Sequence, residues 1–168
     1  MKIVCTGPEC SGKSALSEAI SKKYGMALVT EIARPYLDLR NNEYDKSSLF
    51  EIARLQIWEE GIILEANKNI VCDTDLLTII IWCKEKYGFY ESWMMEQWGN
   101  SHVDMYLLCK PDMPWVFDPQ RTHPNDRDRL FHQHLEFLDS YNKPYLIIQG
   151  ELPERLGKVH GLLAQNPH

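Results

Sequence analysis

Short apolar runs and longer stretches of helical spacing alternate along the chain. Lys2-Ile3-Val4-Cys5-Thr6 has strand length and is followed by a polar loop and then Ala15 to Lys23, with Leu16, Ala19 and Ile20 on one helical face. Met26 to Thr30 reads as a second strand. Pro35 disfavours helix at Arg34, so Glu31 to Tyr36 reads as a turn leaving that strand. Lys46 to Lys68 has helical periodicity, with Ser47 and Ser48 as its expected caps. Asn69 to Asp73 is a third strand, Asp75 to Tyr87 a helix stopped by Gly88, and Phe89 to Trp98 a second, aromatic-rich helical stretch. Val103 to Cys109 and Tyr145 to Ile148 are strands, while Arg127 to Tyr141 and Leu152 to Leu163 are helices. Between Lys110 and Asp126 the pattern lapses into a proline-bearing polar loop, of a length that in compact domains is usually functional. Strands alternating with helices predict an α/β domain: a five-stranded parallel sheet with helices on both faces, spanning residues 1–168 as one unit.

The loop after the first strand is Gly7-Pro8-Glu9-Cys10-Ser11-Gly12-Lys13-Ser14, which fits G-x-x-x-x-G-K-[ST]. Glycine at positions 7 and 12 permits backbone angles and approaches that a side chain would block. The intervening N–H groups can then turn inward as an anion-binding nest, with a helix N-terminus behind them. Lys13 supplies a positive charge for the β- and γ-phosphates, and the Ser14 hydroxyl suits Mg²⁺. A chance glycine turn would not also have a strand before it and a helix after it. The expected ligand is ATP, with Gly7, Glu9, Cys10, Ser11, Gly12, Lys13, Ser14 and Ala15 around it and Mg²⁺ on Ser14 and Asp73. The fold this implies is the three-layer sandwich of P-loop NTPases.

Composition narrows the picture without changing it. At 168 residues and 44% hydrophobic content the chain can bury a core without staples. The net charge of −6 and the lack of a basic run argue against a nucleic-acid partner. No apolar run reaches membrane-spanning length, and the five cysteines form no C-x-x-C pair. A cytoplasmic protein without disulfides is expected. Cys5, Cys72 and Cys109 fall in apolar runs, whereas Cys10 lies in the loop.

Ligands of open α/β sheets bind beyond the carboxyl ends of the strands. Three polar clusters fall there: Glu31 with Arg34, Asp73 with Asp75, and the loop of about 111–129, a candidate lid. Asp73 ends an apolar strand as a Walker B acid does. Asp73 and Asp75 could also cap the next helix, and for Asp75 the two readings are balanced. Glu31 could take a proton from a substrate hydroxyl or simply pair with Arg34. Arg121, then Arg127, are candidates to stabilise transferring phosphate. Arg129 has Asp126 and Asp128 beside it, and His123 and His132 have no metal-site spacing. Tyr36, Trp82, Trp93, Trp98 and Trp115 could stack on a planar ring, although core packing is the commoner role of large aromatics. Trp115 stands apart because its surroundings are polar.

These stretches together resemble the ribosylnicotinamide kinase domain of NadR-type proteins, within the P-loop nucleoside kinases and AAA-like ATPases. The likeness covers Gly7 to Ser14, where Glu9 and Ser11 match G-x-E-x-S-G-K-[ST], then Glu31 with Arg34 and Asp73-Thr74-Asp75 with Thr78. It continues through Cys83-Lys84, Tyr87, and Pro114-Trp115-Val116 with Asp118 and Arg121. The resemblance implies transfer of the γ-phosphate of ATP to the 5′-hydroxyl of nicotinamide riboside. It implies Glu31, Asp73 or Asp75 as base, Arg121 closing from the lid, and Arg34, Tyr36, Asp75, Trp115 and Asp118 near the acceptor. Thr30 replaces the usual aromatic before the acid, and Pro119 replaces the usual lid glycine. The larger members of that family carry an adenylyltransferase domain ahead of the kinase, whereas this sequence starts at the first strand.

Two other readings compete. One keeps a kinase but changes the acceptor to another nucleoside or a nucleotide; the other is an NTP-driven switch that binds a partner. Acids at two strand tips favour an acceptor pocket over a switch. The Phe89 to Trp98 stretch is a candidate cover for that pocket, or a face for homo-oligomer contact.

Overall fold

The computed structural model describes residues 1–121 and 125–165, with backbone alone for the last two. Five parallel strands, β1 (Lys2–Thr6), β2 (Ala27–Val29), β3 (Ile70–Asp73), β4 (Met105–Cys109) and β5 (Tyr145–Ile148), stand in the order β2-β3-β1-β4-β5. Among the described residues seven helices cover them: α1 (Lys13–Tyr24), α2 (Ala33–Asp38), α3 (Lys46–Ala66), α4 (Leu76–Tyr87), α5 (Ser92–Asn100), α6 (Arg127–Ser140) and α7 (Leu152–Gln165). The expected sheet with helices on both faces is therefore present.

Alternation along the strands sorts the core into two layers. Ile3, Cys5, Val71, Leu107 and Cys109 face α1 and α7, meeting Leu16, Ile20 and Val159. Val4, Ile70, Cys72, Tyr106 and Leu108 face the opposite way, toward α2 to α6. Both faces are covered, so the strands read as unbroken apolar runs. The three inner-sheet thiols are buried and all five cysteines are unpaired.

Local chemistry corrects two sequence expectations. Arg34 is helical, because Pro35 falls in the first turn of α2, where a missing N–H leaves no intrahelical bond unmade. The cap of α3 is Asp45, not Ser47 or Ser48. Its carboxylate accepts from Ser48 N–H, and Ser48 Oγ accepts in return from Asp45 N–H, closing a capping box. In α5, Trp98 fills the core-packing role expected of large aromatics: it is 1% exposed and packs edge-on to Tyr106, Phe137 and Tyr141.

One polar network lies inside this core. Asp75 caps α4 by accepting from Leu77 N–H, while its other oxygen accepts from Tyr106 Oη (2.8 Å) and Trp98 Nε1 (3.1 Å). Burial raises its pKa from 3.8 to about 6, against the lowering influence of Lys2 and Tyr106. Between these two values the folded protein holds a proton the unfolded chain has released. Stability from this group is therefore greatest below about pH 4 and falls as pH rises through 6, by on the order of 3 kcal/mol. Asp75→Asn keeps a capping oxygen and removes the titration. Urea unfolding between pH 4 and 7 should show the variant gaining on the wild type as pH rises; parallel curves would contradict this.

Candidate active site

The phosphate loop joins the C-terminal end of β1 to the N-terminus of α1, at the centre of the sheet. Its backbone is unusual at three positions: φ is +132° at Gly7, +51° at Cys10 and +78° at Gly12. A Cβ on Gly7 would lie 2.6 Å from the Cys109 carbonyl oxygen. Strand β4 thus packs against the loop so closely that only glycine fits. Ser11 Oγ and Lys13 Nζ both donate to the Pro8 carbonyl at 2.7 Å, which closes the loop on itself. Gly12 to Ala15 border a cavity of about 340 Å³ that has the loop as its floor.

The cavity has a second wall beyond the loop. Glu31, Ala33, Arg34 and Leu37 line it from the β2 end and α2, and Thr78, Ile81, Trp82 and Glu85 line it from α4. Tyr44, Leu130 and His134 complete that side, with Gln120 and Arg121 from the lid. Trp82 and Tyr44 meet edge to face at 5.0 Å, with Trp82 Nε1 donating to Tyr44 Oη. The result is a chamber with a phosphate-type floor, an apolar-aromatic flank and a carboxylate between them.

That carboxylate is Glu31. Burial raises its pKa from the ordinary 4.5; Lys13 and Arg34 oppose the rise and Asp73 adds to it. Lys13, Asp73 and Glu31 therefore feel one another's charge. The Arg34–Glu31 contact is 3.5 Å and half-solvated, too exposed to be a strong ion pair. Asp73 ends β3 opposite Cys5 and is 7% exposed. Its Oδ1 has no hydrogen-bond partner among the described residues, and neither do the neighbouring hydroxyls of Thr6 and Thr74. Buried oxygens left open beside a phosphate loop suit a hard cation and its water, with the exposed Ser14 hydroxyl as the other protein ligand.

The lid closes one side. Asp118 accepts from Arg34 Nη1 at 2.9 Å and from Gln120 N–H, lies 3.8 Å from Arg121 Nε, and is held below its ordinary pKa first by the Gln120 N–H. Arg121 Nη1 donates to the Val116 carbonyl, so the lid is folded on itself over the chamber. Trp115 Nε1 reaches Glu9 and Val116 N–H reaches Cys10 Sγ, which ties the lid to the loop. Arg127 Nη1 donates to the carbonyls of Cys10 (3.2 Å) and Met113 (2.8 Å).

Three expected site residues lie elsewhere or act differently. Asp75 does not line the chamber; its oxygens are spent on Leu77, Trp98 and Tyr106, so the capping role is the one it fills. Tyr36 is buried with its hydroxyl on Glu51, away from the chamber wall. Trp115 contacts Glu9 rather than lining the chamber. No residue of Phe89 to Trp98 lines the chamber, so that stretch is not its cover. Arg129 forms a two-pronged pair with Glu85, with Asp126 only at 3.9 Å. His123 lies outside the described residues, as does the rest of 122–124 within the lid.

Sequence reasoning missed Tyr44, Glu85, Gln120 and His134. Nothing in their spacing marks them; the tertiary fold alone brings them to one wall. His134 donates from Nδ1 to the Leu130 carbonyl, and burial lowers its pKa to about 4, so it is neutral at pH 7.

Comparison with known proteins now decides the family. Residues 2–155 match the family described as AAA domain. The chain belongs to that family. A search of curated protein sequences gives no match. Among solved structures, deoxyadenosine kinase from M. mycoides, with dcmp and dcdp bound, superposes with a TM-score of 0.67 at 19% identity, covering 98% of this chain and 99% of that one. NadR protein in complex with NR gives 0.65 at 17% identity over 89% of this chain, which spans 44% of NadR. Shikimate kinase from Aquifex aeolicus gives 0.52 at 16% identity over 99% of this chain and 98% of that one. At these identities the likeness establishes the P-loop kinase fold. No helix among the described residues is long and apolar enough to cross a membrane.

The close approach at Gly7 makes a test. Gly7→Ala should destabilise the AAA domain by at least about 2 kcal/mol, since both its φ and its contact with backbone oppose a Cβ. Denaturant unfolding measures it; stability within about 0.5 kcal/mol of wild type would contradict the packing described.

Proposed function

We propose that this chain is an ATP-dependent kinase that phosphorylates a hydroxyl of a small nucleoside, with the 5′-hydroxyl of nicotinamide riboside as the leading acceptor. The supporting observation is that one chamber of about 340 Å³ joins the phosphate loop to Glu31, with an apolar-aromatic flank beyond. Lys13 lies at the floor to bind β- and γ-oxygens once they displace its contact with Pro8. Ser14 and Asp73 would hold Mg²⁺, which supplies charge neutralisation between the phosphates. Glu31, with its raised pKa, takes the proton from the attacking hydroxyl. Arg34 is held by Asp118, and Arg121 lies at the chamber edge where phosphate charge spreads over the equatorial oxygens.

The choice of nicotinamide riboside rests on the Pro114-Trp115-Val116…Asp118…Arg121 stretch and on Glu31 with Arg34. The other half of the likeness, Asp73-Thr74-Asp75, now divides: Asp73 serves the site and Asp75 the core. A deoxyribonucleoside is the second reading, favoured by the full-length superposition on deoxyadenosine kinase. ATP consumption across a nucleoside panel separates them. Nicotinamide riboside should raise it sharply; a rise with deoxyadenosine alone would select the second reading. ATP hydrolysis indifferent to every nucleoside would favour a switch.

Two variants test the roles. Lys13→Ala should lower kcat/KM by at least about 100-fold while the chain stays folded, because its charge stabilises the transition state in a water-poor site. For the base, kcat/KM should climb with pH as Glu31 ionises, with a midpoint shifted upward from the ordinary 4.5, since only ionised Glu31 accepts the proton. Glu31→Gln should flatten that limb and lose about 10²- to 10⁴-fold; an unchanged limb would assign the proton to another group.

A further inference from the structure

Among the described residues Arg155 of α7 is the least exposed charged residue, at 1%. A guanidinium is withdrawn from water at high cost unless its donors are met. Here all three of its nitrogens are engaged: Nε donates to the Gly150 carbonyl (2.6 Å), Nη2 to the Asp112 carboxylate, and Nη1 to the Ser11 carbonyl (2.6 Å) of the phosphate loop.

The last bond has a geometric consequence. The Ser11–Gly12 peptide is trans, so its C=O and N–H point in opposite directions. Holding the Ser11 oxygen on the outside of the loop aims the Gly12 N–H inward, on the side where Gly12 borders the chamber. The space behind Gly12 is filled: a Cβ there would lie 2.8 Å from Met113 Sδ and 3.3 Å from Arg155 Nη1. Arg127 holds the preceding carbonyl, of Cys10, in the same manner. We propose that Arg155 is a positioning residue for the nucleotide phosphates, fixing the 11–12 peptide so that its N–H is already turned toward the anion. It touches the loop and does not line the chamber. Asp112, at the stem of the lid, balances its charge, so lid stem, α7 and loop share one guanidinium. An N–H aligned before binding spares the reorganisation that would otherwise weaken the complex.

This inference rests on the reading that the loop takes ATP. The test is calorimetric titration of Mg·ATP, without acceptor, into wild type, Arg155→Lys and Asp112→Asn, alongside KM for ATP and for the acceptor. Lysine keeps the charge but cannot span three partners in a planar fork. Arg155→Lys should weaken ATP by at least about tenfold, the equivalent of one good hydrogen bond, and leave the acceptor KM within about twofold. Asp112→Asn, which leaves the guanidinium without its counter-charge, should weaken ATP by about threefold. Unchanged ATP affinity in a folded Arg155→Lys, or equal loss for ATP and acceptor, would overturn the proposal. If Arg155→Lys lacks a cooperative melt, Asp112→Asn decides, and wild-type ATP affinity there overturns it. A wild type that binds no ATP would instead remove the underlying reading of the loop.

Discussion

A row of backbone N–H groups can bind an anion only if their peptide planes are held with the carbonyls facing away. The chain around the phosphate loop is organised by that constraint. Positive φ at Gly7, Cys10 and Gly12 turns the planes. Pro8 gathers the Ser11 hydroxyl and the Lys13 ammonium, and guanidinium groups from α6 and α7 hold the carbonyls of Cys10 and Ser11. The central place of β1 in the sheet puts this loop between the tips of β3 and β4. From one tip comes Asp73, and from the other the Cys109 carbonyl against which Gly7 is packed.

Burial then assigns the carboxylates. Asp73 and Asp75 are two residues apart and neither lines the chamber, yet Asp73 keeps a buried oxygen without a partner among the described residues while those of Asp75 are taken up by the core. Thr74, at φ +77°, makes the sharp turn between them and donates its N–H to the Cys5 carbonyl. Asp75 then faces Trp98 and Tyr106 instead of the chamber. Glu31 lines the chamber, raised in pKa yet still in the field of Lys13, and is the acid to which we assign proton exchange with a bound hydroxyl.

Much of this could be read before any coordinates. Apolar runs marked the strands because a parallel sheet covered on both faces needs unbroken hydrophobic segments, and the glycines of the loop carry their reason in the chain. Glu31, Asp73, Arg34 and Arg121 were legible as residues at strand tips and in the lid. Asp75 was not, because a capping aspartate and a catalytic one look alike until Trp98 and Tyr106 are found on its other oxygen. Tyr36 and Trp115 share that difficulty: an aromatic ring in a polar stretch does not declare which way it turns. Tyr44, Glu85, His134 and Arg155 had no local signal at all. Their roles arise from contacts across the fold, as with the 144 residues that separate Arg155 from Ser11.

The central claim is that the γ-phosphoryl group leaves ATP for a hydroxyl held beside Glu31, not for water. Following the phosphorus directly tests it. In ³¹P NMR of the protein with Mg·ATP and nicotinamide riboside, a phosphomonoester resonance should grow in step with ADP. Growth of inorganic phosphate alone, at the same rate with or without the nucleoside, would contradict the account.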